Sequence, residues 1–189
     1  MTTHVNHRRT GTREGAVPEA LATVTDLDAN DVRAVADAVN PLVADAFAMY
    51  IKTKNFHWHL SGRRFRDYHL LFDEQAEKIL DSIDPLAERV RKIGALTLHS
   101  IGDIARRTKI EDDDDDYVAP MEMVRRLLAD NRKMAEAQRA AIEVCDKRRD
   151  TPTGNLLQEV LDETERRIWF LFELTQAEAE DSEAERARP

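Results

Sequence analysis

The stretch FRDYHLLFDEQAEKILDSIDPLAERVRKI, residues 65–93, decides the fold. Phe65, Tyr68, Phe72, Ala76, Ile79, Leu80, Ile83, Ala87, Val90 and Ile93 recur three and four residues apart, the spacing of one buried helical stripe. Gly94 follows as a natural stop. The same helix carries a second pattern. His69 and Asp73 are four residues apart, as are Asp84 and Glu88, so each pair points in a common direction. Asp73 and Asp84 differ by eleven positions, nearly a whole number of turns, which puts all four groups on one side. At about 1.5 Å per residue they are still about 16.5 Å apart along the axis, too far for one metal ion. An antiparallel copy of the helix, related by a two-fold axis near Lys78 and Ile79, would bring Asp84 and Glu88 of one subunit beside His69 and Asp73 of the next. His57, arriving from the end of the preceding helix, could complete each of two equivalent sites.

Outward from this segment the chain reads as three more long helices. Asp28 or Asn30 can cap the first, whose apolar residues run from Val32 to Thr53, with a bend expected at Pro41 and a break around Leu60–Gly62. After Gly94 comes a connection from about Ala95 to Ala119, far longer than an antiparallel neighbour requires. It contains a short helix between Leu98 and Arg107 and the acidic run Glu111–Asp116. Pro120 suits the first turn of a third helix that extends to Cys145. A break at Asp150–Gly154 precedes the fourth, from Leu156 to Thr175, and the alternating Ala and acid after Gln176 should fray. The expected domains are a flexible N-terminal arm at 1–27, an all-α four-helix bundle at 28–178 with a short helix in its long crossover, and a flexible acidic tail at 179–189.

The composition agrees with helices that have wet outer faces. Among 189 residues, 28 Lys and Arg face 37 Asp and Glu, giving a net charge of -9. A single cysteine, Cys145, cannot close an intrachain disulfide, which excludes a cysteine-stapled secreted scaffold and favours reducing cytoplasm. No segment reads as a membrane span or an export signal.

Only six histidines occur, yet His57, His59 and His69 fall within thirteen residues, with Asp73 close behind. Imidazole nitrogen combined with several carboxylate oxygens suits iron, manganese or zinc. Iron is preferred, since open coordination positions would admit dioxygen or peroxide. The plain structural alternative is a polar subunit interface whose Asp and His groups pair electrostatically. No histidine completes a Glu-x-x-His pattern, which disfavours a di-iron site inside the bundle.

The segment Lys54 to Glu74, with His57, Trp58, Gly62, Phe65, His69 and Asp73, and the downstream Asp84-Pro85-Leu86-Ala87-Glu88-Arg89, strongly resemble the Dps family, the DNA-protection-during-starvation mini-ferritins. The resemblance covers about residues 28–178. It implies a ferritin-like bundle assembled as a hollow homododecamer, with ferroxidase centres at two-fold interfaces. His57, His69 and Asp73 would come from one subunit and Asp84 and Glu88 from its neighbour. The implied activity is oxidation of ferrous iron, with hydrogen peroxide preferred over dioxygen, and storage of ferric mineral inside the shell. Asp84 would bind metal directly or orient His57. Trp58 would intercept an oxidising equivalent, or simply pack at the seam.

Other features carry less weight. His59 should point away from the ligands, and Trp169, Phe170 and Phe172 suit intersubunit or bundle contacts. Asn155 stands where relatives often have aspartate near a three-fold channel, so Asp146, Asp150 or Glu159 would have to supply the charge. The run Asp112–Asp116 reads as a solvated loop, with cation capture as a minor role. DNA is weakly supported: Arg8, Arg9 and Arg13 in the arm are offset by Glu14, Glu19 and the overall charge. The competing reading is a DNA-binding or structural mini-ferritin with weak ferroxidase activity, associated with the nucleoid.

Overall fold

The computed structural model describes residues 17–186, with side chains described for 17–176. After a 3-10 turn at Glu19–Leu21 come α1 (Ala29–His59), α2 (Phe65–Lys92), α3 (Ile101–Arg107), α4 (Pro120–Lys147) and α5 (Thr151–Arg186). No strand occurs among the described residues. The architecture is an all-α four-helix bundle, with α3 as the short helix in the long connection.

Local chemistry sets the helix ends. Asp28 caps α1, accepting hydrogen bonds from the amides of Asn30 at 2.8 Å and Asp31 at 2.9 Å. Those amides hold its carboxyl below the usual carboxylate range. Asp150 opens α5, accepting from the Thr153 amide at 3.2 Å, while Pro152 falls in the first turn where its missing N–H costs nothing. Residues 150–154, expected as a break, are therefore mostly the start of the last helix. α5 runs to Arg186, past the point where fraying was expected at Gln176. Pro41 and Pro85 lie inside α1 and α2, which continue through them.

Gly94 ends α2 with φ +89°, and a Cβ there would lie 2.8 Å from the Thr23 carbonyl oxygen. The close approach lays residues 19–23 against the end of α2, where Arg91 donates to the Leu21 carbonyl at 2.7 Å. Residues 1–16 of the expected arm, with Arg8, Arg9 and Arg13, lie outside the described residues, as do the side chains of the expected tail.

Cross-helix bonds give the register. Arg148 reaches Asp31 at 2.9 Å and Lys52 reaches Asp130 at 2.7 Å, so α1 and α4 run antiparallel. Because α1 is also antiparallel to α2 across a short turn, α2 and α4 point the same way, and the connection must travel the length of the bundle. That is the physical reason for its length. Phe56, Phe72, Met49, Leu127, Leu157 and Leu171 fill the core, each nearly sealed from solvent. Burying such side chains contributes roughly 1.5–3 kcal/mol apiece. By length and composition α1 could cross a membrane, contrary to the sequence expectation, but its apolar residues form the core facing α2 and α4.

Candidate metal centre

The last turn of α1 and the first turns of α2 bring His57, His69 and Asp73 together. Each imidazole bonds the other residue's backbone: His57 Nδ1 is 2.9 Å from the His69 carbonyl oxygen, and His69 Nδ1 is 3.1 Å from that of His57. A carbonyl only accepts, so each Nδ1 carries the proton and each Nε2 keeps its lone pair for a metal. The rings stack with centroids 3.7 Å apart, and Phe65 flanks His69 at 4.9 Å. His57 is buried and its Nε2 lies 3.9 Å from Asp73 Oδ1, a gap that two metal–ligand bonds of about 2 Å can span. This donor set fits a divalent iron, manganese or zinc ion.

The orienting role expected of Asp84 is taken within the chain by the His69 carbonyl, because that oxygen already occupies His57 Nδ1. Asp84 and Glu88 are exposed further along α2, and Glu88 pairs with Lys92 at 3.0 Å. Among the described residues of one chain, no three His, Cys, Asp or Glu side chains converge as a complete metal site would. The chain thus offers two imidazoles and one carboxylate at one end of α2 and two exposed carboxylates toward the other, one of them paired with Lys92.

Lys54 belongs to the site and was missed by sequence reasoning. Its ammonium donates to Asp73 Oδ1 at 2.5 Å. This bond holds the Asp73 carboxyl below its ordinary range and raises the Lys54 ammonium above its own. The signal was available: Lys54 precedes His57 by three residues, on the same face of α1.

Trp58 is 60% exposed and lines a groove with Ile51, Leu80, Ile101 and Ile104 rather than joining the ligands. His59 points away, its Nδ1 donating to the Asn55 carbonyl at 2.9 Å. The acidic run is mostly the solvated loop expected, with Asp112, Asp114, Asp115 and Asp116 exposed, but it is anchored at Asp113. Arg126 binds Asp113 at 2.9 Å and Asp115 at 2.8 Å, Asn55 donates to the Asp113 carbonyl, and the Asp113 side chain is only 4% exposed. Near the start of α5, Asp150 is buried and paired with Arg89 at 2.8 Å. That pairing removes it from the charges that could compensate for the exposed Asn155, leaving Asp146 and Glu159. On α5 the Trp169 indole donates to Glu173 at 3.0 Å and Arg166 stacks over Phe170.

Comparison with known proteins agrees with this architecture. The ferritin-like domain family model matches residues 36–178. The DNA protection during starvation protein of Halobacterium salinarum is 31% identical over 166 residues, covering 87% of this chain and 88% of that protein. The structure of DpsC from Streptomyces coelicolor superposes with a TM-score of 0.80 at 27% identity, over 88% of this chain and 96% of that one. The Dps protein of Vibrio cholerae, described as a member of a broad superfamily of ferritin-like diiron-carboxylate proteins, gives 0.76 at 26% identity over 82% and 97%. With its helix order, its paired histidines and these likenesses taken together, the chain belongs to the ferritin-like domain family, in the Dps group of mini-ferritins.

Proposed function

We propose that this chain is a ferroxidase and iron store, oxidising ferrous iron with hydrogen peroxide and retaining ferric mineral within a homododecameric cage. Family membership supports iron storage and ferroxidase chemistry in general. The observation that carries the metal-site reading is the reciprocal imidazole–carbonyl exchange, which leaves both Nε2 atoms without a backbone partner, that of His57 lying 3.9 Å from the Asp73 carboxylate.

In this reading His57, His69 and Asp73 of one subunit and Asp84 and Glu88 of its neighbour form each centre at a two-fold interface. The substrate is ferrous iron, and the balanced reaction takes one electron from each of two ferrous ions to peroxide, which with two protons yields two waters and two ferric ions. His57 and His69 hold the ferrous ion through neutral nitrogen. Asp73, Glu88 and Asp84 supply the negative charge that favours the ferric product. Lys54, bonded to Asp73, gives the carboxylate a partner until the ion arrives. Trp58, beside His57 in sequence but facing the groove, would intercept an oxidising equivalent or pack at the seam. We place the protein in the cytoplasm, as its single buried cysteine suggests.

The His57→Ala, His69→Ala double variant tests the assignment. It should suppress peroxide-dependent iron oxidation while leaving the helical circular dichroism intact; unchanged kinetics in a folded variant would reject it. The names of the relatives favour a second reading, DNA protection by direct binding. A gel-shift assay at low salt separates the two, since phosphate contacts weaken as salt rises. No retardation there would eliminate direct binding.

A further inference from the structure

The interior of the bundle holds a buried polar layer to which all four long helices contribute. Lys52 of α1 donates to Asp130 of α4 at 2.7 Å and to the Glu111 carbonyl at 2.9 Å. On the other side of α4, Asn131 accepts from Arg167 of α5 at 2.8 Å, and Arg167 also donates to Thr164 at 2.8 Å. Arg166 meets Glu74 of α2 at 3.2 Å, which puts the neighbouring Gln75 at the same level; it is buried and its Nε2 has no partner.

Ferritin-like di-iron carboxylate proteins fill this part of a bundle with inward Glu and Glu-x-x-His side chains, a strongly negative nest for two metal ions. The residues here do not fit that group. Lys52 is 8% exposed and Arg167 is 4% exposed, so two full positive charges lie within the bundle. Asp130 already has Lys52 and Lys133, at 2.7 and 3.3 Å. The remaining carboxylate near Arg167 is Glu163, one turn earlier on α5, and burial still pushes the Arg167 guanidinium down to about 10. Gln75 adds a neutral amide, which brings no negative charge to a divalent ion. Asp130 is paired with Lys52, and Arg166 pairs with Glu74 at 3.2 Å and with Glu163 at 3.9 Å, although Glu163 Oε2 makes no hydrogen bond; Coulomb repulsion from the buried Lys52 and Arg167 opposes a divalent ion at this level.

We propose that Lys52 and Arg167 form an internal cation lock that excludes divalent metal from the bundle and so confines iron to the surface ligands. The lock concerns where metal cannot bind, and it stands whether or not the surface centre is catalytic.

The test uses full-length chains in which His57, His69 and Asp73 are all replaced by Ala, titrated with Co(II) by calorimetry and visible absorption. This background should bind no Co(II) in a water-shielded site. Adding Lys52→Glu places a second carboxylate beside Asp130 and the Glu111 carbonyl. It should add one Co(II) equivalent per chain, bound at least about tenfold more tightly than any site of the background, with a Co(II)-dependent rise in Tm. A background that already binds Co(II) in a shielded site would overturn the proposal, as would a folded Lys52→Glu chain that gains none. If Lys52→Glu folds only when Co(II) is present, the proposal is supported. If it folds in neither condition, Lys52→Gln decides, because it removes the cation while keeping an oxygen there. It must then bind Co(II) where the background does not, and failure to do so overturns the lock.

Discussion

Replacing Lys54 by Met should tighten metal binding at the surface site. The Lys54 ammonium lies 2.5 Å from Asp73 Oδ1, the same oxygen that is 3.9 Å from His57 Nε2. A divalent ion bound between these atoms would be about 4 Å from the ammonium, where a single pair of unit charges interacts by about 1 kcal/mol in water. The doubled charge makes the repulsion about 2 kcal/mol. Asp73 is 39% exposed, so the water-like limit is the appropriate one. Lys54→Met should therefore strengthen anaerobic Co(II) binding about ten- to thirtyfold, since 1.4 kcal/mol is one factor of ten. The lost ion pair is partly exposed and should cost below about 1 kcal/mol of stability. Calorimetric titration of both proteins checks the binding, and urea unfolding checks the stability. Equal or weaker Co(II) affinity in a folded Lys54→Met protein would refute the reasoning and make Lys54 a support for Asp73 rather than a competitor for it.

Three other outcomes follow from the same contacts. Asp150→Ala leaves the partly exposed Arg89 guanidinium without its carboxylate and removes the α5 cap; it should cost about 2–4 kcal/mol in denaturant unfolding, and a loss under 1 kcal/mol would contradict a stabilising role for Asp150. Arg126→Ala should release residues 111–116, seen as faster amide hydrogen exchange confined to that loop. Burial, reinforced by Asp150 and Asp146, pushes the Cys145 thiol up to about 11. The unfolded chain loses this proton first, so the contribution is intact below about pH 8.5 and is lost as pH rises toward 11. Cys145→Ala should consequently lose less stability than the parent between about pH 8 and 10 in urea titrations.

The fold was legible because its information is local. The 65–93 stripe, the Asp28 cap and Pro120 each specify helix geometry within a few residues. His57, His69 and Asp73 were legible for the same reason, as i, i+4 spacing and a short turn bring them together. What escaped was mostly nonlocal or of unexpected sign. Asp113 is held by Arg126 from the next helix, and Asp150 by Arg89 from α2, contacts that composition alone does not encode. Lys54 was local but overlooked, since a search for metal ligands collects donors of electron pairs and passes over a cation. Residues 150–154 looked like a break because Pro and Gly punctuate both loops and first helical turns.

Subunit mixing tests the central claim most directly. Chains carrying Asp73→Ala and chains carrying Glu88→Ala are each predicted to be poor ferroxidases alone. Co-assembled from denaturant, an interface between unlike chains has one centre lacking both residues and one with both intact, so the mixture should recover about a quarter of parental peroxide-dependent iron oxidation at equal ratio. Recovery to that level is the predicted result. A mixture no more active than its two components, in assemblies shown to contain both chains, would contradict a centre shared across the interface.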